Sequence, residues 1–194
     1  MTLNVKKVFS RPISTSIPPK PGDTLLFRGS GLLFHFFNLL LNLLDPRWRR
    51  RTFKPWHTAI LLRPHQDGWV ILEGTYPHSQ PRFVPRKVLS AQCRFLPWMR
   101  QAPLPTELIA FEQQYTGKKY DILIYFWTMA QYLFRHYWNR SIPNLLDDRY
   151  TCWELVGEWY DFVCDPIHSK YDCIIIENIL SAAEARGIPQ GVFT

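Results

Sequence analysis

The sequence predicts an α+β fold, a small antiparallel sheet packed with helices. Three observations predict it. His57-Thr58-Ala59-Ile60-Leu61-Leu62 and Trp69-Val70-Ile71-Leu72-Glu73 read as the two strands of a hairpin turned at Gln66-Asp67-Gly68. Along the chain, one small set of strands has helical patterns on both sides of it. The length of 194 residues fits one domain.

Residues 1–20, Pro- and Ser-rich with basic residues, read as an extended basic arm, and 21–194 as one domain. Pro21-Gly22-Asp23 is a turn that leads into a strand over 24–27. A helix follows over about 31–44, stopped by Asp45-Pro46. Its polar residues His35, Asn38 and Asn42 share one stripe, and the rest of its surface is Leu and Phe. Arg47-Trp48-Arg49-Arg50-Arg51 reads as a basic loop. After the hairpin, short strands are expected near 82–84 and 93–98. A helix is expected over 103–117, ending at Gly117. Asp121 caps a second helix over about 122–137, with Ile122, Tyr125, Phe126, Met129, Leu133 and Phe134 facing inward. A loop over 138–150 leads to a third helix over about 152–164. The tail holds a short helix to Arg186 and a terminal strand.

Composition narrows the function classes. The chain is 46% hydrophobic and 20% charged, which excludes a disordered tail and a collagen-like repeat. Four cysteines are too few and too irregular for a disulfide scaffold, so free thiols and a reducing compartment are expected. The N-terminal MTLNVKKVFSRP lacks the apolar core of a secretory signal. The most apolar run, Leu32 to Leu44, is shorter than the roughly 20 residues of a spanning helix. The expected location is the cytoplasm or a virus particle. The net charge of +7 is concentrated in the first half of the chain, which suits an anionic partner.

Tyr150-Thr151-Cys152-Trp153-Glu154-Leu155-Val156 carries the most chemistry. Thr151 and Glu154 form a capping box ahead of an apolar run, which puts Cys152 at the first helical position. Unpaired N–H groups and the helix dipole there favour a thiolate and can hold the oxyanion of an acyl intermediate. Free cysteines are often merely small buried residues, and the capping box argues against that reading here. A nucleophilic cysteine needs a base and a group to orient it. His57, at the start of a strand, is the best-placed histidine, and His35 is the reserve. Glu73 ends the paired strand within an apolar run, where a carboxylate needs a partner. Whether it shares a face with His57 depends on the hairpin register.

Five motifs occur in order: Pro21-Gly22-Asp23-Thr24-Leu25-Leu26-Phe27, His57-Thr58-Ala59-Ile60, Leu72-Glu73-Gly74, Gly117-Lys118-Lys119-Tyr120-Asp121 and Tyr150 to Val156. This order resembles the circularly permuted branch of the NlpC-type, papain-like cysteine hydrolases, the YiiX-like group; lecithin retinol acyltransferase is a more distant relative. The resemblance covers about residues 21–160. It implies Cys152 as nucleophile, His57 as base, Glu73 as the third polar residue, and Tyr120 and Tyr150 flanking the site. Two features depart from the pattern. Trp153 stands where a small residue is usual, which narrows the substrate pocket, and Arg47 to Arg51 looks like an insertion. The implied activity is hydrolysis or acyl transfer at an amide or ester, with peptidoglycan peptide, another amide or a lipid acyl ester as substrate. No cofactor is implied.

Other constellations are weaker. Cys164, His168 and Cys173 offer three zinc ligands without a tight Cys pair, so no metal is expected. No phosphate-binding loop and no nucleic-acid reader motif is present. The Leu/Phe helix with Arg47, Trp48, Arg49, Arg50 and Arg51 reads either as a core helix and a solvated loop or as a face lying on an anionic membrane. From a different class, a catalytically silent papain-like scaffold docked in an assembly such as a phage particle would use the basic arm and the aromatic surface.

Overall fold

The computed structural model describes residues 17–97, 103–120, 126–127, 130, 134, 137–138, 151–163 and 176–193. The order is β1 (Thr24–Arg28), α1 (Leu32–Leu44), α2 (Pro46–Arg49), β2 (Pro55–His65), β3 (Gly68–Glu73), β4 (Gln80–Pro85), α3 (Arg86–Gln92), β5 (Cys93–Leu96), α4 (Pro105–Tyr115), α5 (Cys152–Phe162), α6 (Ile176–Ala185) and β6 (Gly191–Val192). The six strands form one sheet in the order β4-β3-β2-β1-β5-β6, and every neighbouring pair is antiparallel. The fold is α+β, as the strand and helix patterns predict.

Strand alternation divides the core in two. Leu26, Ile60, Leu62, Leu72 and Leu96 face a layer built from α1, α2, α4, α5 and α6. Their neighbours Leu25, Ala59, Leu61, Ile71 and Phe95 face the other way, onto Leu89 of α3, Val84 and Phe193. The period of two puts successive side chains on opposite faces, so both faces of the central strands are buried.

Helix α5 is tied to the start of the sheet. Thr24 Oγ1 and Tyr160 Oη lie 2.5 Å apart, and Trp159 Nε1 donates to Gly22 O at 2.9 Å. Gly22 has φ +89°, and a Cβ there would come within 2.8 Å of Pro103 and 3.1 Å of Trp159. The turn before β1 therefore needs glycine to let α5 pack close.

Three expectations change. The basic stretch is not a loop throughout: Pro46–Arg49 is one helical turn, with Asp45 Oδ1 accepting from Arg47 N at 2.8 Å. Asp45-Pro46 is an N-cap and first-turn proline as well as a stop. Helix α3 was not foreseen, because its seven residues include only two large apolar side chains. In the stretch expected as a helix over 122–137, Phe126 and Phe134 are helical but 44% and 43% exposed rather than inward-facing. Asp121, Ile122, Tyr125, Met129 and Leu133 lie outside the described residues, as do residues 1–16 of the expected arm. Among the described residues, no helix is long and apolar enough to cross a membrane.

Candidate active site

The capping box forms as the sequence predicts. Thr151 Oγ1 accepts from Glu154 N at 3.1 Å, and Glu154 Oε2 accepts from Thr151 N at 2.8 Å. Cys152 is therefore the first helical residue of α5, and it is completely buried. At the first two helical positions, the N–H groups of Cys152 and Trp153 find no acceptor within the helix itself.

His57 and Glu73 share one face because of a β-bulge. From the turn, the β2–β3 ladder pairs His65 with Gly68, Pro64 with Trp69 and Arg63 with Val70. Continued regularly, that register would set Glu73 opposite Ile60, facing the layer away from His57. The ladder shifts between Leu61 and Arg63, and Glu73 pairs with Ala59 instead. Ala59 is two residues from His57, so the two side chains lie on one face. His57 Nε2 and Glu73 Oε2 are 3.1 Å apart.

Arg82 completes that face. It lies opposite Ile71 in the β3–β4 ladder, on the side of Glu73. Its Nε and Nη2 donate to Glu73 Oε1 and Oε2 at 2.5 and 2.9 Å. The Phe27 ring sits 5.3 Å from the His57 ring and 5.9 Å from the Arg82 guanidinium. Arg82 was not singled out from the sequence. The only signal was an arginine in a short strand expected near a hairpin that carries a buried carboxylate.

Cys152 reaches this end of the sheet from the opposite layer. Thr58, the neighbour of His57 that faces the other way, donates through Oγ1 to Cys152 O at 2.7 Å. Gly74, next after Glu73, lies under the helix start: a Cβ there would sit 3.3 Å from Cys152 Cα and from the Tyr120 ring. His57 and Tyr120 both feel the Cys152 sulfur electrostatically, so each stands beside it. Hydrogen bonds run Arg82–Glu73–His57, and Cys152 and Tyr120 continue the series of neighbouring groups.

The electrostatics follow from that series. Burial pulls the His57 pKa down. The charge of Cys152, with the hydrogen bond and charge of Glu73, outweighs burial and pushes it up to about 9. Burial opposes ionisation of Glu73, but hydrogen bonds and charges from His57 and Arg82 hold its pKa below the ordinary carboxylate value. Burial and the Cys152 and Glu154 charges raise the Tyr120 pKa, so its phenol stays protonated. Cys93, also a free buried thiol, has its pKa pushed up to about 12, chiefly by burial.

The remaining sequence candidates are dispersed. His35 is exposed on α1, its ring 5.4 Å from Phe34, and it is not brought to the cluster. Trp153 is buried, with its ring 6.3 Å from Trp56, so it forms core behind Cys152 rather than an open pocket wall. Trp48 is also buried, its Nε1 donating to Asn38 Oδ1 at 3.0 Å, which removes it from any membrane-facing role. Tyr150, Cys164, His168 and Cys173 lie outside the described residues. A thiol at a helix start, an imidazole beside it and a carboxylate on the imidazole form a set of groups that can support nucleophilic attack by the sulfur. No family model, curated protein or solved structure matches the chain.

Proposed function

We propose that this protein is a cysteine hydrolase or acyltransferase acting on an amide or ester, with the order of a permuted, NlpC-type papain-like enzyme. The observation that carries the reading is the His57–Glu73 hydrogen bond next to Cys152 at the start of α5. Cys152 thiolate attacks the substrate carbonyl carbon, and the carbonyl π electrons move to oxygen. The Cys152 N–H at the helix start is placed to receive that oxyanion. As the intermediate collapses, the bond to the amine or alcohol breaks and His57 gives the leaving group its proton. A water, or an acceptor nucleophile in a transferase, then loses its proton to His57 and attacks the thioester. Release of the acyl product restores the thiolate and the imidazolium. Glu73, which orients His57, stabilises its charged form, and Arg82 holds Glu73.

The substrate classes that suit the resemblance are a peptidoglycan peptide, another amide or a lipid acyl ester, and the site of action is the cytoplasm or a virus particle. One observation favours a second reading, a silent scaffold in an assembly such as a phage particle: the Cys152 side chain has no exposed surface. Iodoacetamide labelling near neutral pH separates the two. An enzyme labels fastest at Cys152, far ahead of Cys93, and loses that reaction in Cys152→Ala. A scaffold labels Cys152 no faster than Cys93.

A further inference from the structure

Helix α1 exposes its apolar side. Leu32, Phe36, Leu39 and Leu43 are 88%, 56%, 60% and 66% exposed. Their spacing of four, three and four residues makes one straight stripe along the helix. The opposite side is buried through Phe34, Phe37 and Leu41. The Asn residues of the polar stripe are half-buried and occupied: Asn38 accepts from Trp48 Nε1, and Asn42 Oδ1 accepts from Lys54 Nζ at 2.6 Å. Phe126, 44% exposed and 5.3 Å from the Phe37 ring, extends the apolar surface beside the helix. A contiguous exposed apolar patch of this kind marks an interaction surface.

The chain segment that carries the stripe is charged with one sign. Residues 24–65 carry seven Lys or Arg and one carboxylate, Asp45. Asp45 is buried. Arg49 stands at the end of the stripe, its Nε donating to Asn42 O at 2.9 Å and its Nη2 reaching Leu43 O at 3.5 Å. Arg47 remains 55% exposed while paired to Asp45. Arg51 is drawn away from this rim by Glu184. Side chains exposed by half to nine-tenths form an apolar stripe, and His35, exposed beside Leu39, is the polar residue at its edge among the described residues of α1. Leu and Phe in a stripe, with arginines at its end, match the acyl chains and headgroups of an anionic bilayer.

We propose that α1 docks this protein on an anionic membrane surface, with Leu32, Phe36, Leu39 and Leu43 in the interfacial layer and Arg47 and Arg49 on the headgroups. The docking stands apart from the Cys152 chemistry. Its test is cosedimentation of the full chain with vesicles of phosphatidylcholine alone and of phosphatidylcholine with about one-third phosphatidylserine. Binding is expected on the anionic vesicles only and is expected to weaken with salt. Leu39→Ser with Leu43→Ser should lower it at least ~10-fold. Arg47→Gln with Arg49→Gln should lower it roughly fivefold per arginine. Leu32→Ser with Phe36→Ser, on the other half of the stripe, repeats the test if the first pair fails to fold. No binding to anionic vesicles, equal binding to neutral ones, or binding unchanged by both apolar pairs overturns the proposal. A dimer in solution that the same pairs dissolve, without vesicle binding, assigns the stripe to a second copy and overturns it as well.

Discussion

His57 and Arg82 meet on one oxygen, Oε2 of Glu73, at 3.1 and 2.9 Å. The imidazole is therefore oriented by a carboxylate that is itself fixed by a two-pronged guanidinium contact. A bidentate contact of this kind sets geometry as well as charge.

Arg82→Gln is expected to move the acid limb of the pH–rate profile to higher pH. Arg82 is one of the groups that hold the Glu73 pKa below its ordinary value, so its loss lets Glu73 take up a proton sooner as pH falls. The hydrogen bond and charge of His57 still favour the ionised carboxylate, so the rate at neutral pH should fall less than roughly tenfold. The Arg82 side chain is 48% exposed, so solvent screening keeps the effect on stability small. A pH–rate profile of both proteins on one ester substrate checks this. An unmoved acid limb would leave Arg82 with no positioning role.

Single substitutions along the chain should rank by role. On the proposed chemistry, Cys152→Ala should abolish turnover. On the same chemistry, His57→Ala should cost roughly 100- to 10,000-fold. Glu73→Gln keeps part of the hydrogen bonding to His57 and should cost less than His57→Ala. Steady-state kinetics, with thermal melts to exclude unfolding, read the order. Wild-type activity in His57→Ala would assign the base elsewhere.

The His57 pKa of about 9 gives a second pH dependence. Folding raises this group above its ordinary 6.5, so its stabilisation is fully present below about 6.5 and is lost as pH rises through about 9. The acylation rate should decline over the same upper limb, because neutral His57 no longer protonates the leaving group. The Cys152 charge is the largest upward cause, so Cys152→Ala should lower the His57 pKa. Ring-proton NMR titration of both proteins reads the change. An identical titration in Cys152→Ala would mean that the sulfur carries no charge next to the ring.

The start of α5 was legible because its signal is local. Thr151 and Glu154 are three residues apart, and the capping box that they make lies within one helical turn. The hairpin strands were legible from their apolar runs. Whether Glu73 faces His57 was not legible, because it depends on one extra residue in β2, and nothing in Leu61-Leu62-Arg63 marks a bulge. Arg82 joins the site only through the pairing of β4 with β3, a contact that the local pattern around 82–84 does not contain. Which face of α1 is buried was not legible for a similar reason: Trp48 and Lys54, folded back by the α2 turn, occupy its Asn residues.

Asp23 offers a stability test that does not involve the reaction. It ends the turn before β1 and is wholly buried, and Oδ2 accepts from Lys20 N at 2.8 Å. Its other oxygen, Oδ1, has no hydrogen-bond partner among the described residues. Burial, only partly offset by the Lys20 backbone hydrogen bond and charge, raises the Asp23 pKa from 3.8 to about 7. The folded state therefore binds the proton more tightly than the unfolded chain. Stability falls as pH rises from about 4 to about 7, and above that the full penalty, on the order of 4 kcal/mol, is present. Asp23→Asn removes the ionisation while its amide oxygen can still accept from Lys20 N, at a cost of about 1–3 kcal/mol for the unpaired amide N–H. Chemical denaturation at pH 5 and pH 8 should show the wild type losing stability between the two and Asp23→Asn losing much less. The variant should be the weaker protein at pH 5 and gain on the wild type at pH 8. Equal pH slopes in the two proteins would show that Asp23 ionises as readily in the fold as in the unfolded chain.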